Sequence, residues 1–322
     1  MKQSPPKSPL LTVVQDVRVN GIIENIRKAV KSNMAFVVDP QDVEHIRTCF
    51  TNAILKGEQS LHKMAWYVFN QMAPNSKMES KLMVFGRCSN PTHEGLLRSD
   101  TLFDYNSNFL SHTDSYLAQT HLPICSICGE LAQSIASLIQ HRRCPDNDGS
   151  VLRLLRTRIK STSHIAYKLA DIVFDIDLIF KRDKIRNNMN NFITDVYGMK
   201  IVLNQDQHVH PLIETIEQWA PLEVVEVKDY TGNNRKESGF EALKLVTNYE
   251  NQLIEVQIQS QRMFETERNS YTAKHQTYKE YQMEQRRHLG IDYTNLYQSL
   301  YKLLSTNETN RNEYIDFGLQ NR

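Results

Sequence analysis

The sequence has little net charge, few cysteines and no apolar run long enough to span a bilayer. Its 38 basic and 37 acidic residues leave a formal charge of +1, so phosphate binding has to come from local clusters of basic residues. Five cysteines are an odd number, which argues against a disulfide framework and favours a reducing, cytoplasmic location. The opening residues are polar and Pro-rich with no apolar segment behind them, so we expect no secretory signal.

The spacing of apolar residues changes near residue 150. Before it they recur at every third or fourth position, which predicts helices, and after it they alternate with polar residues, which predicts strands. The predicted strands cover residues 151–160, 196–203, 222–227, 242–248 and 253–258. The predicted later helices cover residues 161–173, 262–288 and 293–304. We therefore divide the sequence into residues 1–10 (disordered), 11–120 (helical), 121–150 (zinc-finger-like segment and linker), 151–290 (one α+β domain) and 291–322 (helix and loose polar tail).

Four residues of the third segment have the spacing of metal ligands. Cys125, Cys128, His141 and Cys144 follow the pattern C-x₂-C-x₁₂-H-x₂-C, close to that of ββα zinc fingers. A tight turn would supply two thiolates, and a helix with His141 and Cys144 on one face would supply the other two ligands. The pattern predicts one bound Zn²⁺. The alternative is a pair of cytosolic cysteines beside an unrelated helix.

The first predicted strand of the α+β domain carries basic residues at alternating positions, namely Arg156, Arg158 and Lys160. Alternation places them on one face of the strand. Ser161 can cap the next helix, whose N-terminus adds partial positive charge just beyond the strand. These groups predict a cradle for a triphosphate. The alternative is a solvated basic strand at the edge of a sheet.

Two carboxylates lie in or beside predicted strands. Asp195 opens one strand, and Glu255 lies inside another, where alternation turns Glu255 and Gln257 away from the apolar core. A glutamate in a hydrophobic strand is costly unless it faces a metal or a polar cleft. Carboxylates on neighbouring strands can hold Mg²⁺, and one of them can accept a proton. The alternative is a half-buried glutamate paired with Lys200 or Lys244.

These residues belong to a spaced series that resembles the synthetase domain of the RelA/SpoT family. The series reads Arg158-Ile-Lys160-Ser161 with Lys168, Asp195-Val-Tyr-Gly198-Met-Lys200, Lys228-Asp-Tyr230, Gly239-Phe-Glu-Ala242-Leu-Lys244, Glu255-Val-Gln257-Ile258 and His275-Gln-Thr-Tyr278-Lys279. It covers less than half of the chain. No single group is distinctive, but their order and spacing are.

The resemblance implies an α+β fold with a nucleotidyltransferase-like mixed β-sheet flanked by helices, behind a mainly helical N-terminal region. It implies transfer of pyrophosphate from ATP to the 3′-hydroxyl of GDP or GTP, giving a (p)ppGpp-type alarmone and AMP, with Mg²⁺ held by Asp195 and Glu255. The resemblance implies that Glu255 is either a metal ligand or the general base that accepts the proton of the attacking hydroxyl. The implied ATP-binding residues are Arg156, Arg158, Lys160, Lys168 and Lys200. The implied acceptor-binding residues are Lys228, Lys236, Phe240, Lys244, Gln257 and His275.

Several positions depart from the family pattern. The serine and histidine of the family's acceptor motif are replaced by Ala242 and Lys244, and Phe240 replaces a tyrosine that stacks on the acceptor base. Phe240 can still stack, unless it is an ordinary core residue after a turn. Likewise, Lys228 and Lys236 either bind acceptor phosphates or are plain loop charges. The residues implied to bind the acceptor therefore match the family pattern less well than the residues implied to bind ATP.

Two alternatives to a guanine-nucleotide acceptor follow from these departures. One is a toxin-type member that pyrophosphorylates the 3′ end of tRNA, and the other is an inactive domain that binds a nucleotide or a partner protein. None of the eleven histidines precedes an aspartate, the dipeptide that binds metal in the hydrolase domain of long family members. Residues 1–150 are therefore not that hydrolase. A protein partner at the N-terminal region and an oligomer are compatible with the sequence, and membrane binding is not expected.

Overall fold

The fold is taken from a computed structural model. It describes residues 10, 13, 15–32, 34–87, 96–104, 124–125, 131–144, 150–160, 162–173, 193–236, 239–267, 293–305 and 314–317. The chain forms two compact units, one drawn from residues 1–54, 162–193 and 272–322, and the other from residues 55–161 and 194–271. None of the helices in the described ranges is long and apolar enough to cross a membrane.

Helices and runs of consecutive strands follow one another along the chain. Within the described residues the helices are α1 (Val17–Lys31), α2 (Pro40–Met72), α3 (Thr162–Val173), α4 (Pro211–Glu217), α5 (residues 261–267) and α6 (Tyr293–Leu304). The strands are β1 (Val37–Val38), β2 (Lys77–Arg87), β3 (Leu96–Asp104), β4 (Ile124–Cys125), β5 (Leu131–Cys144), β6 (Leu152–Ile159), β7 (Tyr197–Leu203), β8 (Glu223–Asp229), β9 (Leu243–Tyr249), β10 (Gln252–Ser260) and β11 (Ile315–Asp316).

The first unit is mainly helical. The helices α3 and α6 contact each other, and each buries one apolar stripe, with Ile165 on α3 and Leu300 on α6 almost fully covered. Arg47 of α2 donates a hydrogen bond of 2.7 Å to the carbonyl of Lys302, satisfying a carbonyl near the end of α6. The short strands β1 and β11 pair antiparallel.

The second unit is built on a mixed sheet in the order β3-β2-β5-β6-β7-β10-β9-β8, with β4 paired to β5. The pair β7–β10 is parallel and the other pairs are antiparallel. One face of the central strands is apolar and packs on the second half of α2. Tyr197 of β7 is fully buried there against Gly57, and Thr247 of β9 contacts Met64. The opposite face is therefore the one that can carry polar chemistry.

A tight turn sets the register of β10 against β9. Glu250 and Asn251 have φ angles of 50° and 63°, the left-handed pair typical of a two-residue hairpin turn. This conformation is unfavourable for a glutamate, and contacts to α2 hold it. The Glu250 carboxylate accepts hydrogen bonds of 3.1 Å from Ser60 Oγ and Lys63 Nζ. The turn thus aligns the strand that carries Glu255.

The structure confirms the predicted α+β class. The five predicted strands correspond to β6–β10 within two residues at each end, and the last predicted helix is α6. The helix α4 was not predicted, and β11 gives part of the supposedly loose tail a defined strand. The predicted helix at residues 262–288 is described only as α5, and its remainder lies outside the described residues.

The helical interpretation of residues 11–120 is correct for α1 and α2 and wrong for β2 and β3. The predicted helix that carries His141 and Cys144 is also wrong, because both residues lie in β5, which pairs with β2 and β6. Pairing with partners distant in sequence overrides local helical spacing here. A strand does not bring residues three apart to one face as a helix does.

The zinc prediction itself stays a prediction. Cys125 lies in β4, and Cys128 lies outside the described residues. His141 is 1% exposed, and burial lowers its pKa to about 3, with a smaller contribution from His62. Its imidazole is therefore neutral at pH 7, the form that binds metals.

Candidate active site

Charged and polar side chains gather on one face of the adjacent strands β6, β7, β10 and β9. The ladder register places seven residues on this face, which we call the charged face: Arg156 and Arg158 of β6, Gly198 and Lys200 of β7, Glu255 and Gln257 of β10, and Lys244 of β9. Residues directly opposite each other in neighbouring strands share a face of the sheet. The fold therefore brings residues separated by about a hundred positions in the sequence into direct contact.

Glu255 lies at the centre of the charged face and is only 3% exposed. Its Oε2 lies 2.5 Å from Lys244 Nζ, its Oε1 lies 3.8 Å from Arg158 Nη2, and Gln257 Nε2 donates a hydrogen bond of 2.8 Å to Oε1. Burial raises the pKa of Glu255, but attraction to Lys244 and Arg158 lowers it by more, so its pKa lies below the usual value. The carboxylate is therefore ionised at pH 7. Its pairing with Lys244 is also the contact expected if Glu255 is only a structural glutamate paired with a lysine.

Asp195 lies two residues before β7, and its carboxylate, like that of Glu255, forms an ion pair with a lysine. Its Oδ2 lies 2.5 Å from Lys160 Nζ, just beyond the end of β6. The negative charge of Asp195 raises the pKa of Glu255, so the two carboxylates are close enough to interact. Each predicted catalytic carboxylate thus holds one lysine.

Gly198 leaves the space that Arg158 occupies. A Cβ atom at position 198 would lie 3.1 Å from Cγ and Nε of Arg158 and 3.2 Å from its Cζ. Without that atom, the guanidinium can lie across β7 and reach toward Glu255. Any larger residue at position 198 would force the Arg158 side chain to shift by a few tenths of an ångström.

The helix α5 packs against the other end of the charged face. Lys200 Nζ lies 2.6 Å from Glu267 Oε2, and Gln259 Nε2 donates a hydrogen bond of 2.9 Å to the same oxygen. Arg156 places its guanidinium carbon 4.8 Å from the centroid of the Phe264 ring. Burial lowers the pKa of Lys200, and the attraction of Glu267 offsets part of that shift. The described residues of this region carry an excess of positive charge. The basic residues are Arg156, Arg158, Lys160, Lys200 and Lys244, and the carboxylates are those of Asp195, Glu255 and Glu267.

A second cluster surrounds the predicted acceptor-binding residue Phe240. Its ring meets Tyr230 edge to face, with centroids 6.2 Å apart, and Lys236 Nζ lies 4.6 Å from the centroid of Tyr230 and 5.4 Å from that of Phe240. Burial lowers the pKa of Lys236, and repulsion from Lys244 and Lys228 lowers it further. Three lysines therefore lie close enough to repel one another beside two aromatic rings.

A network that sequence reasoning missed connects this cluster to α5. Arg262 binds both oxygens of Glu241 at 3.1 and 3.2 Å and lies 2.7 Å from Asp206 Oδ2. The Gly232 amide donates a hydrogen bond of 3.0 Å to Glu241, and the hydrogen bonds from Arg262 lower the pKa of Glu241. Phe264 was also missed, and the sequence gives no specific signal for these contacts because their partners come from separate segments.

The remaining predicted site residues lie at the edge of the charged face, away from it, or outside the described residues. Lys228 lies on the edge strand β8 directly opposite Lys244, so it shares that side of the sheet, and its Nζ lies 2.5 Å from a carboxylate oxygen of Glu226. Lys168 lies on α3 and is half-buried, in the first compact unit. Ser161 and His275 lie outside the described residues. Their proposed roles stay predictions.

The donor atoms of the two central carboxylates fit Mg²⁺. This ion prefers oxygen ligands, and Asp195 just before β7 and Glu255 on the neighbouring strand β10 offer carboxylate oxygens. The basic residues around them also suit phosphates. Both carboxylates are held by lysines, so an ion would compete with Lys160 and Lys244 for them. The residues that would hold Mg²⁺ are therefore Asp195 and Glu255.

We expect Arg158→Ala and Lys160→Ala each to weaken ATP binding by roughly tenfold or more, because hydrogen bonds to charged groups contribute about 1.5–3 kcal/mol. Titration with a fluorescent ATP analogue measures the effect. Arg153→Ala is the matched control, since Arg153 is an exposed residue of the same strand outside the charged face. Unchanged affinity in both test variants would make this strand an ordinary basic surface.

Three solved structures are similar to parts of this chain. Small alarmone synthetase 1 from Bacillus subtilis, bound to its product pppGpp, is 20% identical over 41% of this chain and 67% of its own, with a TM-score of 0.33. Small alarmone synthetase 2 from Bacillus subtilis is 19% identical over 49% of this chain and 77% of its own, with a TM-score of 0.26. A GTP pyrophosphokinase family protein from Streptococcus pneumoniae is 19% identical over 40% of this chain and 63% of its own, with a TM-score of 0.30.

A comparison with curated proteins finds no match. A family model does match, and it is described as the region found in RelA / SpoT proteins. The match covers residues 157–283, which include Arg158, Asp195 and Glu255. It therefore covers β7, β9, β10 and the end of β6, and of the residues on the charged face only Arg156 lies outside it. This chain contains a domain of the RelA/SpoT family.

Proposed function

We propose that this domain transfers pyrophosphate from ATP to the 3′-hydroxyl of a nucleotide and releases AMP. The observation that carries the proposal is the buried, ionised Glu255 in contact with two cations on the charged face. Burying a charged side chain raises the free energy of the folded state, and such residues are concentrated at functional sites. The match to the RelA/SpoT family supports the same chemistry.

The cations of the charged face would bind the triphosphate of ATP. Arg158 and Lys160 lie beside the two carboxylates, and Arg156 and Lys200 lie next to Phe264. The guanidinium groups offer planar pairs of donors that suit phosphate oxygens. Phosphoryl-type transfer depends on positioning and on neutralising charge, and these groups can do both.

In the proposed reaction, the acceptor 3′-oxygen forms a bond to the β-phosphorus of ATP. The bond from that phosphorus to the oxygen bridging the α- and β-phosphates breaks, and AMP leaves. The acceptor proton passes to Glu255, whose ionised state suits a base. Bound Mg²⁺ would supply charge neutralisation of the phosphates. Lys244 has to leave Glu255 before the carboxylate can accept a proton, so acceptor phosphates that attract Lys244 would prepare the base.

The acceptor would bind beside Phe240, Tyr230 and Lys236. Both rings can stack on a base, and stacking is tolerant of base identity. The lysines Lys228, Lys236 and Lys244 would attract the acceptor's phosphates. Lys244, which replaces the family histidine, has a flexible ammonium group that attracts phosphate well but orients it poorly. This composition suits a broad range of acceptors, including an RNA 3′ end.

A catalytically inactive, nucleotide-binding domain is the second candidate function. The pairing of each predicted catalytic carboxylate with a lysine favours it, because the pairs satisfy both charges without a ligand. The two candidate functions are distinguished by whether AMP is released from ATP.

We expect relaxed acceptor choice, with guanine nucleotides used but not strongly preferred, because Phe240 lacks the hydroxyl by which a tyrosine could distinguish bases. The measurement is a competition in one tube with labelled ATP and equal amounts of GDP, GTP, ADP and tRNA. A guanine preference above about 10³-fold would show that other residues recognise guanine and would contradict the expectation. Binding of ATP without any AMP release would support the inactive domain.

A further inference from the structure

Three potential metal ligands converge in the first compact unit, and none of them belongs to the charged face or to the predicted zinc-finger-like segment. Asp16 lies just before α1, and His45 and Cys49 lie four residues apart on α2, on one side of the helix. Their ligand atoms all lie within 4.8 Å of one another. The sequence alone did not single them out, because Asp16 is almost thirty residues from His45.

Two of the three distances between these atoms are close to the edges of a zinc coordination sphere, and the third is at most 4.8 Å. His45 Nε2 lies 3.1 Å from Asp16 Oδ1 and 3.7 Å from Cys49 Sγ. Zinc binds oxygen, nitrogen and sulfur at about 2.0–2.3 Å, so tetrahedral ligands lie roughly 3.3–3.6 Å apart. Both measured distances are close to this range. An ion among the three atoms thus needs only small side-chain movements.

The carboxylate is held in place by the start of a helix. The backbone amides of Arg18 and Val19 each donate a hydrogen bond of 3.0 Å to Asp16 Oδ1, which caps α1. Such outer contacts orient a metal ligand and raise the affinity of a site. The side chains of His45 and Asp16 are 32% and 34% exposed, so an ion can enter from solvent.

A nucleophilic triad of cysteine, histidine and aspartate is the competing interpretation of these residues. In a triad, the carboxylate and the nucleophile bind opposite nitrogens of the imidazole. Here Asp16 and Cys49 both contact the same atom, His45 Nε2. Convergence on a single point suits a shared ion and does not suit a proton relay.

We propose that Asp16, His45 and Cys49 form a zinc site, with a fourth position open to water. One thiolate, one imidazole and one carboxylate are ligands that zinc accepts, and a thiolate disfavours Mg²⁺ and Ca²⁺. A bound ion would tie the start of α1 to α2, two segments of the first unit.

The test is metal binding by the full chain, measured with Zn²⁺ against a chromophoric chelator and with Co²⁺ by its thiolate charge-transfer absorption. We expect Cys49→Ser and His45→Gln each to weaken binding at this site by at least about tenfold, since even outer contacts of metal sites contribute 10–100-fold. We also expect Cys49→Ser to reduce the cobalt charge-transfer band. Asp16→Asn is a third variant that keeps the helix cap, because asparagine caps as well as aspartate, but loses the charge.

Cys88→Ser is the matched control, because it removes one thiol elsewhere in the sequence, and it should bind as the wild type does. Thermal unfolding shows whether each variant folds. Wild-type zinc affinity and cobalt spectra in folded Cys49→Ser and Asp16→Asn would overturn the proposal. Variants of Cys125 or Cys144 report on the other predicted zinc ligands and separate the two sites.

Discussion

Replacing Glu255 with glutamine should reduce pyrophosphate transfer by at least about 10²-fold, with every acceptor. The amide keeps the size of the side chain and can still accept hydrogen bonds, but it cannot take the proton of the attacking hydroxyl, a function that contributes about 10²–10⁴-fold. It also leaves Lys244 and Arg158 without their buried counter-charge. AMP release from ATP plus an acceptor is the quantity to measure.

The matched control is Glu223→Gln, which neutralises an exposed carboxylate on the same sheet that binds Asn248. It should leave transfer unchanged. Thermal unfolding and ATP binding of Glu255→Gln separate lost chemistry from lost structure. Wild-type turnover in a folded Glu255→Gln protein would show that Glu255 is not the base and would contradict the role proposed for it.

Gly57→Ala should strongly destabilise the second unit, although glycine to alanine in a helix normally stabilises by up to about 1 kcal/mol. A Cβ atom at position 57 would lie 2.1 Å from Cζ and 2.3 Å from Oη of Tyr197. Tyr197 is fully buried, so its ring has no free space to move into. Overpacking of this kind costs about 1–3 kcal/mol or more. The free energy of unfolding in urea is the measurement.

Gly21→Ala provides the control, because Gly21 lies in α1 with nothing within 4 Å of an added Cβ atom. That substitution should stabilise the protein by roughly 0.5–1 kcal/mol. A Gly57→Ala protein as stable as Gly21→Ala would mean that α2 and β7 do not approach as closely as the structure shows.

The strands of the charged face were predictable from their own sequences, most clearly β6 and β10, in which apolar and polar residues alternate. The faces of Arg156, Arg158 and Glu255 followed from that alternation. The strands β2 and β5 were not predictable, because their apolar spacing is compatible with a helix and their pairing partners are distant in the sequence. Long-range pairing decides such segments, and periodicity alone does not report it.

The site's contacts were predictable only in part. Sequence spacing indicated that Glu255 faces away from the core, but its burial comes from Lys244 on a neighbouring strand and from Arg158 across β7. The pairing of Glu267 with Lys200, and the position of Phe264 over Arg156, depend on where α5 packs. No local pattern encodes these tertiary contacts.

The most direct test of the central claim follows one phosphate. ATP labelled at its β-phosphate is incubated with the full chain, Mg²⁺ and the mixed acceptors, and the labelled products are separated. We predict that the label moves to the acceptor as pyrophosphate while unlabelled AMP accumulates, and that Glu255→Gln reduces both by at least about 10²-fold. Label that stays in ATP, or that appears only in ADP or free pyrophosphate with every acceptor, would contradict pyrophosphate transfer by this domain.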